Sequence, residues 1–256
     1  MFGRNKKALE DADDEDVEEA EDELDEDEED DEPAEEVVEE PEEDEPLDAW
    51  QILDQSRDWR EDGPFDISEV DLDADDVQRL DFGSLVVTPF DGMQLQMQVN
   101  PASSQVQALL VVDGKSAIEV ALFAAPQHSS MLGEVRAEME AAVKAAGGTM
   151  KLVKGPLGTE VRRKLKATDD EPASGQLSRT WLVQGPKWLL RGTLMGQAGS
   201  VAGVDKGEAL MLFEFFCNLV VRRGDSPRVP GELIALDVPE SVVEQLDIEK
   251  RPRARK

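Results

Sequence analysis

The stretch Met93-Gln-Leu-Gln-Met-Gln-Val99 alternates apolar and polar residues without a break. The run after it, Gln105-Val-Gln-Ala-Leu-Leu-Val-Val-Asp-Gly-Lys-Ser-Ala-Ile-Glu-Val-Ala-Leu-Phe-Ala124, sets Asp113-Gly114 between two apolar segments. Successive side chains on a strand point to opposite faces, so Met93, Leu95, Met97 and Val99 share one face and the glutamines the other, the pattern of a half-exposed strand. Asp-Gly suits the left-handed conformations of a tight hairpin turn, so residues 105–112 and 116–124 are expected to pair antiparallel. Leu85-Val86-Val87, bounded by Gly83 and Pro89, adds a short strand ahead of them.

Toward the C-terminus the period changes. Leu132, Val135, Met139, Val143 and Ala146 recur at helical spacing, with Ser129 or Ser130 as the expected N-cap and Gly147-Gly148 as the stop. Glu134, Arg136, Glu138 and Lys144 fall on the other side, so this helix covers a sheet with its apolar face. Residues 149–153 and 159–165 read as strands around Gly155-Pro156, residues 169–175 as a polar loop, and residues 178–184 and 188–195 as a hairpin across Gly185-Pro-Lys187. A second helix is expected from Asp205, with Glu208 completing a capping box, to Arg223. Its apolar residues, Leu210 to Phe213, Phe215, Phe216, Leu219 and Val220, point nearly all round, so it is buried on more than one side or also contacts a partner. The expected class is α+β, an antiparallel sheet of about six to eight strands covered by two main helices.

Charge is distributed unevenly along the 256 residues, whose formal total is −32. Residues 1–46 hold 27 acidic and three basic residues, residues 47–82 hold 12 and three, and residues 83–256 hold 20 and 21. Four segments follow: a disordered acidic arm over 1–46, an acidic linker with a short amphipathic turn over 47–82, the α+β domain over 83–240 and a basic tail over 241–256. Such a distribution excludes bulk nucleic-acid binding by an all-round basic surface, and a single cysteine, Cys217, excludes a disulfide scaffold. The N-terminus has basic residues without the apolar stretch of a secretory leader, and the most apolar stretch, residues 209–221, is interrupted by Glu214 and Asn218. A cytoplasmic protein without a membrane span is therefore expected.

The inventory for catalysis is thin: one His, one Cys and no Tyr. His128 lies in Pro-Gln-His-Ser-Ser with no nucleophile elbow anywhere, Cys217 sits among helical apolar residues, and two soft ligands do not fill a zinc site. Gly192, Gly196, Gly199 and Gly203 lack the strand-turn-helix context of a phosphate loop and read as a flexible turn. No catalytic residue, cofactor or metal is expected; a carboxylate enzyme using Asp81, Asp91 or Asp113 remains a formal alternative. Trp50, Trp59 and Phe65 are candidate partner-binding residues, since aromatics carry much interface energy. Arg162, Arg163, Lys164, Arg222 and Arg223 form a candidate basic patch for phosphate or nucleic acid, gated by the acidic arm; the alternative is an ordinary solvated strand edge.

Six motifs in order, Arg60-Glu-Asp-Gly-Pro-Phe-Asp66, Arg79-Leu-Asp-Phe-Gly-Ser-Leu85, Phe123-Ala-Ala-Pro126 with Gly133-Glu-Val-Arg136, Gly155-Pro-Leu-Gly-Thr-Glu160, Gly185-Pro-Lys-Trp-Leu-Leu-Arg-Gly192 and Val220-Val-Arg-Arg-Gly224, resemble the actinobacterial family known as domain of unknown function 3710. The resemblance covers residues 57–240. It implies a cytoplasmic actinobacterial protein with an acidic N-terminus, and it brings no activity, cofactor or catalytic residue. The element order is also similar to the Mog1/PsbP-like arrangement, with type III secretion chaperone-like sandwiches fitting nearly as well. Proteins of the Mog1/PsbP-like shape are commonly binding or assembly modules, and fold alone does not decide function. The expectation is a non-catalytic interaction or adaptor module with a protein partner, the acidic arm serving as solubiliser or electrostatic screen.

Overall fold

The computed structural model describes residues 46–166, 177–205 and 207–238, without the side chain of Glu208. The acidic arm, the loop over 169–175, the Glu208 half of the expected capping box and the basic tail lie outside them. The described chain opens with helix α1 (Ala49–Gln55), where Asp48 accepts from Trp50 N and Gln51 N, and Gln51 returns its own side-chain oxygen to Asp48 N at 2.7 Å. This reciprocal cap stabilises so short a helix by about 1 kcal/mol. Strand β1 (Phe65–Asp66), a 3-10 turn (Ile67–Glu69), β2 (Leu80–Asp81) and β3 (Leu85–Val87) follow.

Next come β4 (Gln94–Val99), β5 (Val106–Asp113) and β6 (Ser116–Ala124), with Asp113 opposite Ser116 across the expected hairpin turn. Helix α2 (Leu132–Ala145) leads to β7 (Thr149–Gly155), β8 (Gly158–Lys164), β9 (Leu177–Gly185) and β10 (Trp188–Met195). A short helix α3 (Gly196–Ser200), helix α4 (Gly207–Cys217) and β11 (Val220–Val221) complete the elements. Seven strands form one antiparallel sheet in the order β4-β5-β6-β10-β9-β8-β7, and a smaller sheet runs β1-β11-β3-β2. The class is α+β, as the alternation and turn signals predict.

The large sheet is covered on both faces, and strand alternation decides which residue serves which side. Trp181, Val183, Trp188, Leu190 and Leu194 pack with Leu212, Phe215 and Phe216 of α4 and with Leu85 and Val87. Their neighbours Leu182 and Leu189, with Val161, turn the other way and meet Leu132, Val135 and Met139 of α2. Gly192 belongs to the first face: a Cβ there would stand 2.6 Å from the Phe216 ring, so this glycine allows close helix–sheet approach rather than making a flexible turn.

Two boundaries differ from expectation. Helix α4 stops at Cys217 rather than near Arg223, because the β-branched pair Val220-Val221 takes backbone partners on both sides, β1 in parallel and β3 antiparallel. Helix α2 starts after Met131, not at a serine cap. Gln184 of β9 accepts from Met131 N at 3.0 Å and donates to Ser129 O at 2.7 Å, so a side chain from the sheet adds to the local bond in which Ser130 Oγ accepts from Leu132 N at 3.3 Å.

Candidate functional site

The acidic linker is latched to the domain by named bonds. Asp54 of α1 accepts from Arg136 Nη1 at 2.5 Å and from Thr159 N at 2.9 Å. Arg136, expected on the solvent side of α2, is instead 4% exposed, since Asp54 gives its charge a partner beneath α1. Trp59 donates Nε1 to Leu53 O at 2.9 Å and carries the Arg57 guanidinium 4.0 Å above its ring. Further on, Trp188 Nε1 donates to Asp66 Oδ2 at 2.8 Å, and Phe65 N to Leu219 O at 2.9 Å. Trp50, Trp59 and Phe65 are each half-buried against their own domain.

The basic run on β8 is divided by the strand that carries it. Arg162 and Lys164 project to the α4 side, where Lys151 stands directly opposite Arg162, and Thr149 opposite Lys164. Arg163 projects to the α2 side, near Arg191 and Glu119, where burial and the Arg191 charge hold its guanidinium below the usual range. A groove of about 330 Å³ lies along the β7–β8 corner, bordered by Lys151, Arg162, Arg163, Lys164, Leu177 and the α3 residues Gly199 and Ser200, so the three basic residues of the run meet there; no acidic residue borders it among the described residues. Lys151 and Lys164 are exposed. Arg162 has Glu160 as its counter-charge, which leaves Lys151 opposite it and Lys164 beside it to face an anion in the groove.

Under the groove lies a buried carboxylate. Glu160 accepts from Arg179 Nε and Nη2 at 2.9 and 2.7 Å, from Trp181 Nε1 at 2.9 Å and from Arg162 Nε at 2.8 Å. Arg162 Nη2 and Arg179 Nη1 reach on to the carbonyls of Ala202 and Gly203, which ties the loop after α3 to the sheet. Glu160, Arg179 and Lys151 carry this corner and were not among the candidates. Glu160 and Arg162, opposite charges two residues apart on a strand, are a readable signal; Arg179 needs the register Val161 to Thr180.

Arg222 and Arg223 sit elsewhere. Arg222 pairs with Asp81 at 2.8 Å and bonds Gly83 O, while Arg223 donates to the carbonyls of Lys187 and Ser226. Both hold loops around the small sheet. Asp81 is thereby engaged, Asp91 lies exposed before β4 and Asp113 ends β5. His128 is exposed between β6 and α2. Cys217 is buried, and desolvation, reinforced by Asp62 and Glu214, pushes its thiol up to about 12. No group of metal-ligating side chains is gathered among the described residues, and none of their helices is long and apolar enough to cross a membrane.

The family described as protein of unknown function, DUF3710, matches residues 63–245. The chain belongs to this family. The DUF3710 match takes in the large sheet, α2, α4 and both arginine-bearing faces, and it begins after α1, so Trp50, Trp59 and the Asp54 latch precede the family region. No curated protein and no solved structure matches the chain.

Proposed function

We propose that the chain is a cytoplasmic, non-catalytic interaction module whose β7–β8 groove holds an acidic segment of a protein partner. The observation that carries this reading is the cross-strand pairing of Lys151 with Arg162, beside Lys164, in a groove with no bordering acid among the described residues. Leu177, 45% exposed at the same groove, offers an apolar contact beside the charges. A phosphate or nucleic-acid partner is the second reading. It is less favoured because Arg222 and Arg223 hold loops around the small sheet and do not border the groove, which leaves too short a row of cations there to follow a phosphate backbone. In this proposal residues 1–46 act as an electrostatic screen that keeps weaker anions away.

The test is a titration of the full chain with a fluorescent glutamate-rich peptide containing one leucine, alongside a short DNA duplex. Peptide binding that is lost in Lys151→Glu and Lys164→Glu supports the reading. Tighter binding of the duplex than of the peptide, or peptide affinity unchanged in both variants, overturns it.

A further inference from the structure

Helix α1 covers a seat on the domain and fills it incompletely. None of its seven residues is fully buried, and a helix this short is marginal without support. Asp54 accepts from Arg136 Nη1 at Oδ2 and from Thr159 N at Oδ1, but Arg136 Nη2 stays buried without a partner among the described residues while α1 is in place. An unmade bond at a buried guanidinium costs free energy that is recovered when α1 lifts and water enters, so it weighs against the closed arrangement. Beneath residues 54–60 lies a cavity of about 250 Å³, bordered by Trp59 and by an apolar floor of Leu132, Leu157, Leu182 and Val183.

The seat is nonetheless shaped for a helix. Gly133 lies in the first turn of α2 with no left-handed backbone to require it, and a Cβ there would stand 3.2 Å from the Gln51 side chain that caps α1. Gly158 makes similar room for Asp54, whose Oδ1 would lie 3.0 Å from an added Cβ. Arg136 and Thr159 N, at the same place, call for a carboxylate, because a buried guanidinium without a counter-charge is costly. Leu132, Gly133, Arg136, Gly158 and Thr159 all lie within residues 63–245, whereas α1 precedes them. The receptor therefore belongs to the family region and the helix that covers it does not.

We propose that this seat is a docking site for an acidic amphipathic helix of a protein partner, which displaces α1. The incoming helix offers a carboxylate to Arg136 and Thr159 N, and an apolar or aromatic side chain to the floor beside Trp59. Helix α1 is then a tethered competitor at an effective concentration of about millimolar, so a free helix binds only as far as α1 is released. A second copy of the chain would bring two acidic arms together, which favours a different chain as the occupant. The site shares no bordering residue with the β7–β8 groove and does not depend on it.

The experiment uses the full chain with Asp54→Ala, which frees the seat, and with Asp54→Asn, which keeps the side-chain volume and removes the charge; thermal melts show that each is folded. The probe is a fluorescent peptide of residues 46–62, which presents the α1 sequence in trans. It is expected to bind both variants one-to-one and at least tenfold more tightly than wild type, the gain from releasing a closed competitor. The same peptide bearing Asp54→Ala is expected to lose that binding, as is the unaltered peptide against a chain bearing Asp54→Ala with Arg136→Gln. Lys151→Glu added to the Asp54→Ala chain is expected to leave the affinity unchanged. No gain over wild type in either variant, equal binding by the peptide that lacks the carboxylate, or full affinity in the Arg136→Gln chain would each overturn the proposal. So would a wild-type dimer in analytical ultracentrifugation that Asp54→Ala dissociates, which would make a second copy the occupant.

Discussion

In Glu160→Ala four donors lose their acceptor at once. Arg162 is the least affected, because its side chain is 26% exposed and keeps the Ala202 carbonyl. Arg179 is 1% exposed, and its remaining bond is to the carbonyl of Gly203, so a buried cation is left without a counter-charge. Breaking a buried pair from one side costs about 3–5 kcal/mol. The orphaned Trp181 N–H adds about 1 kcal/mol. At about 2–4 °C per kcal/mol for a domain of this size, Tm is expected to fall by roughly 10–20 °C. Glu160→Gln, which keeps one acceptor oxygen but turns an amide toward the guanidinium, should fall between.

Calorimetric melts and urea titrations of both variants measure this, with the double variant Glu160→Leu, Arg179→Met as the decisive control. Replacing a whole buried pair by apolar residues of similar volume is often neutral, so the double variant should recover most of the loss. Stability of Glu160→Ala within about 1 kcal/mol of wild type would refute the reasoning, because water would then be reaching Arg179. So would a double variant as weak as the single one.

Asp54→Ala leaves Arg136 buried and unpaired, with its Nη2 already lacking a partner, at a cost of about 3–5 kcal/mol. The linker should loosen first, so trypsin is expected to cut at Arg57 and Arg60 before the domain melts; an unchanged digestion pattern would contradict the latch. Acid should weaken the same linker. A bond from Arg60 holds Glu69 below the usual carboxylate range. At Asp66 burial pushes upward, but hydrogen bonds from Ser68 and Trp188 and the charge of Arg60 outweigh it. A carboxylate whose pKa is lowered by folding contributes stability above its unfolded value and loses it as pH falls through the folded one, so stability is expected to decline from about pH 4 downward. Glu69→Gln should flatten that decline in urea titrations across the acid range. Lys151→Glu makes an opposite-charge pair with Arg162 and should raise stability by about 0.2–1 kcal/mol while weakening peptide binding; a fall in both would show a structural role only.

Strands β4 to β6 are legible from sequence because alternation and Asp113-Gly114 are local signals, each read within a few residues. The fate of Val220-Val221 is not local. An apolar run continuing from a helix looks helical until β1 and β3, more than 130 residues upstream, offer it hydrogen bonds. The α2 cap is hidden for the same reason, since Gln184 arrives from a strand 53 residues away. The run Arg162-Arg163-Lys164 is legible as a basic cluster, and all three border one groove at the sheet corner, although a strand sends its middle member to the opposite face. What no local pattern contains is register. Only the alignment of β8 with β9 brings Arg179 and Trp181 onto Glu160, and so converts a surface-looking arginine into a buried one.

In the proposed function, the charge of residues 1–46 and that of the groove act on an acidic ligand with opposite signs and over different distances, which shapes its salt dependence. Repulsion from residues 1–46, formal charge −24, acts during approach through solvent and fades beyond a screening length of about 8 Å at physiological salt. Attraction by Lys151, Arg162 and Lys164 acts at contact, where screening is weaker and salt shortens the lifetime of the complex. Adding salt to the full chain should therefore first raise the association rate as approach repulsion is screened, and then lower affinity as the contact weakens. A chain lacking residues 1–46 has no such repulsion to screen, so its affinity should be higher at low salt and fall steadily throughout. Stopped-flow mixing with the labelled acidic peptide separates the two rates. An association rate that falls with salt in both proteins would mean that residues 1–46 do not screen the groove, whatever they contribute to solubility.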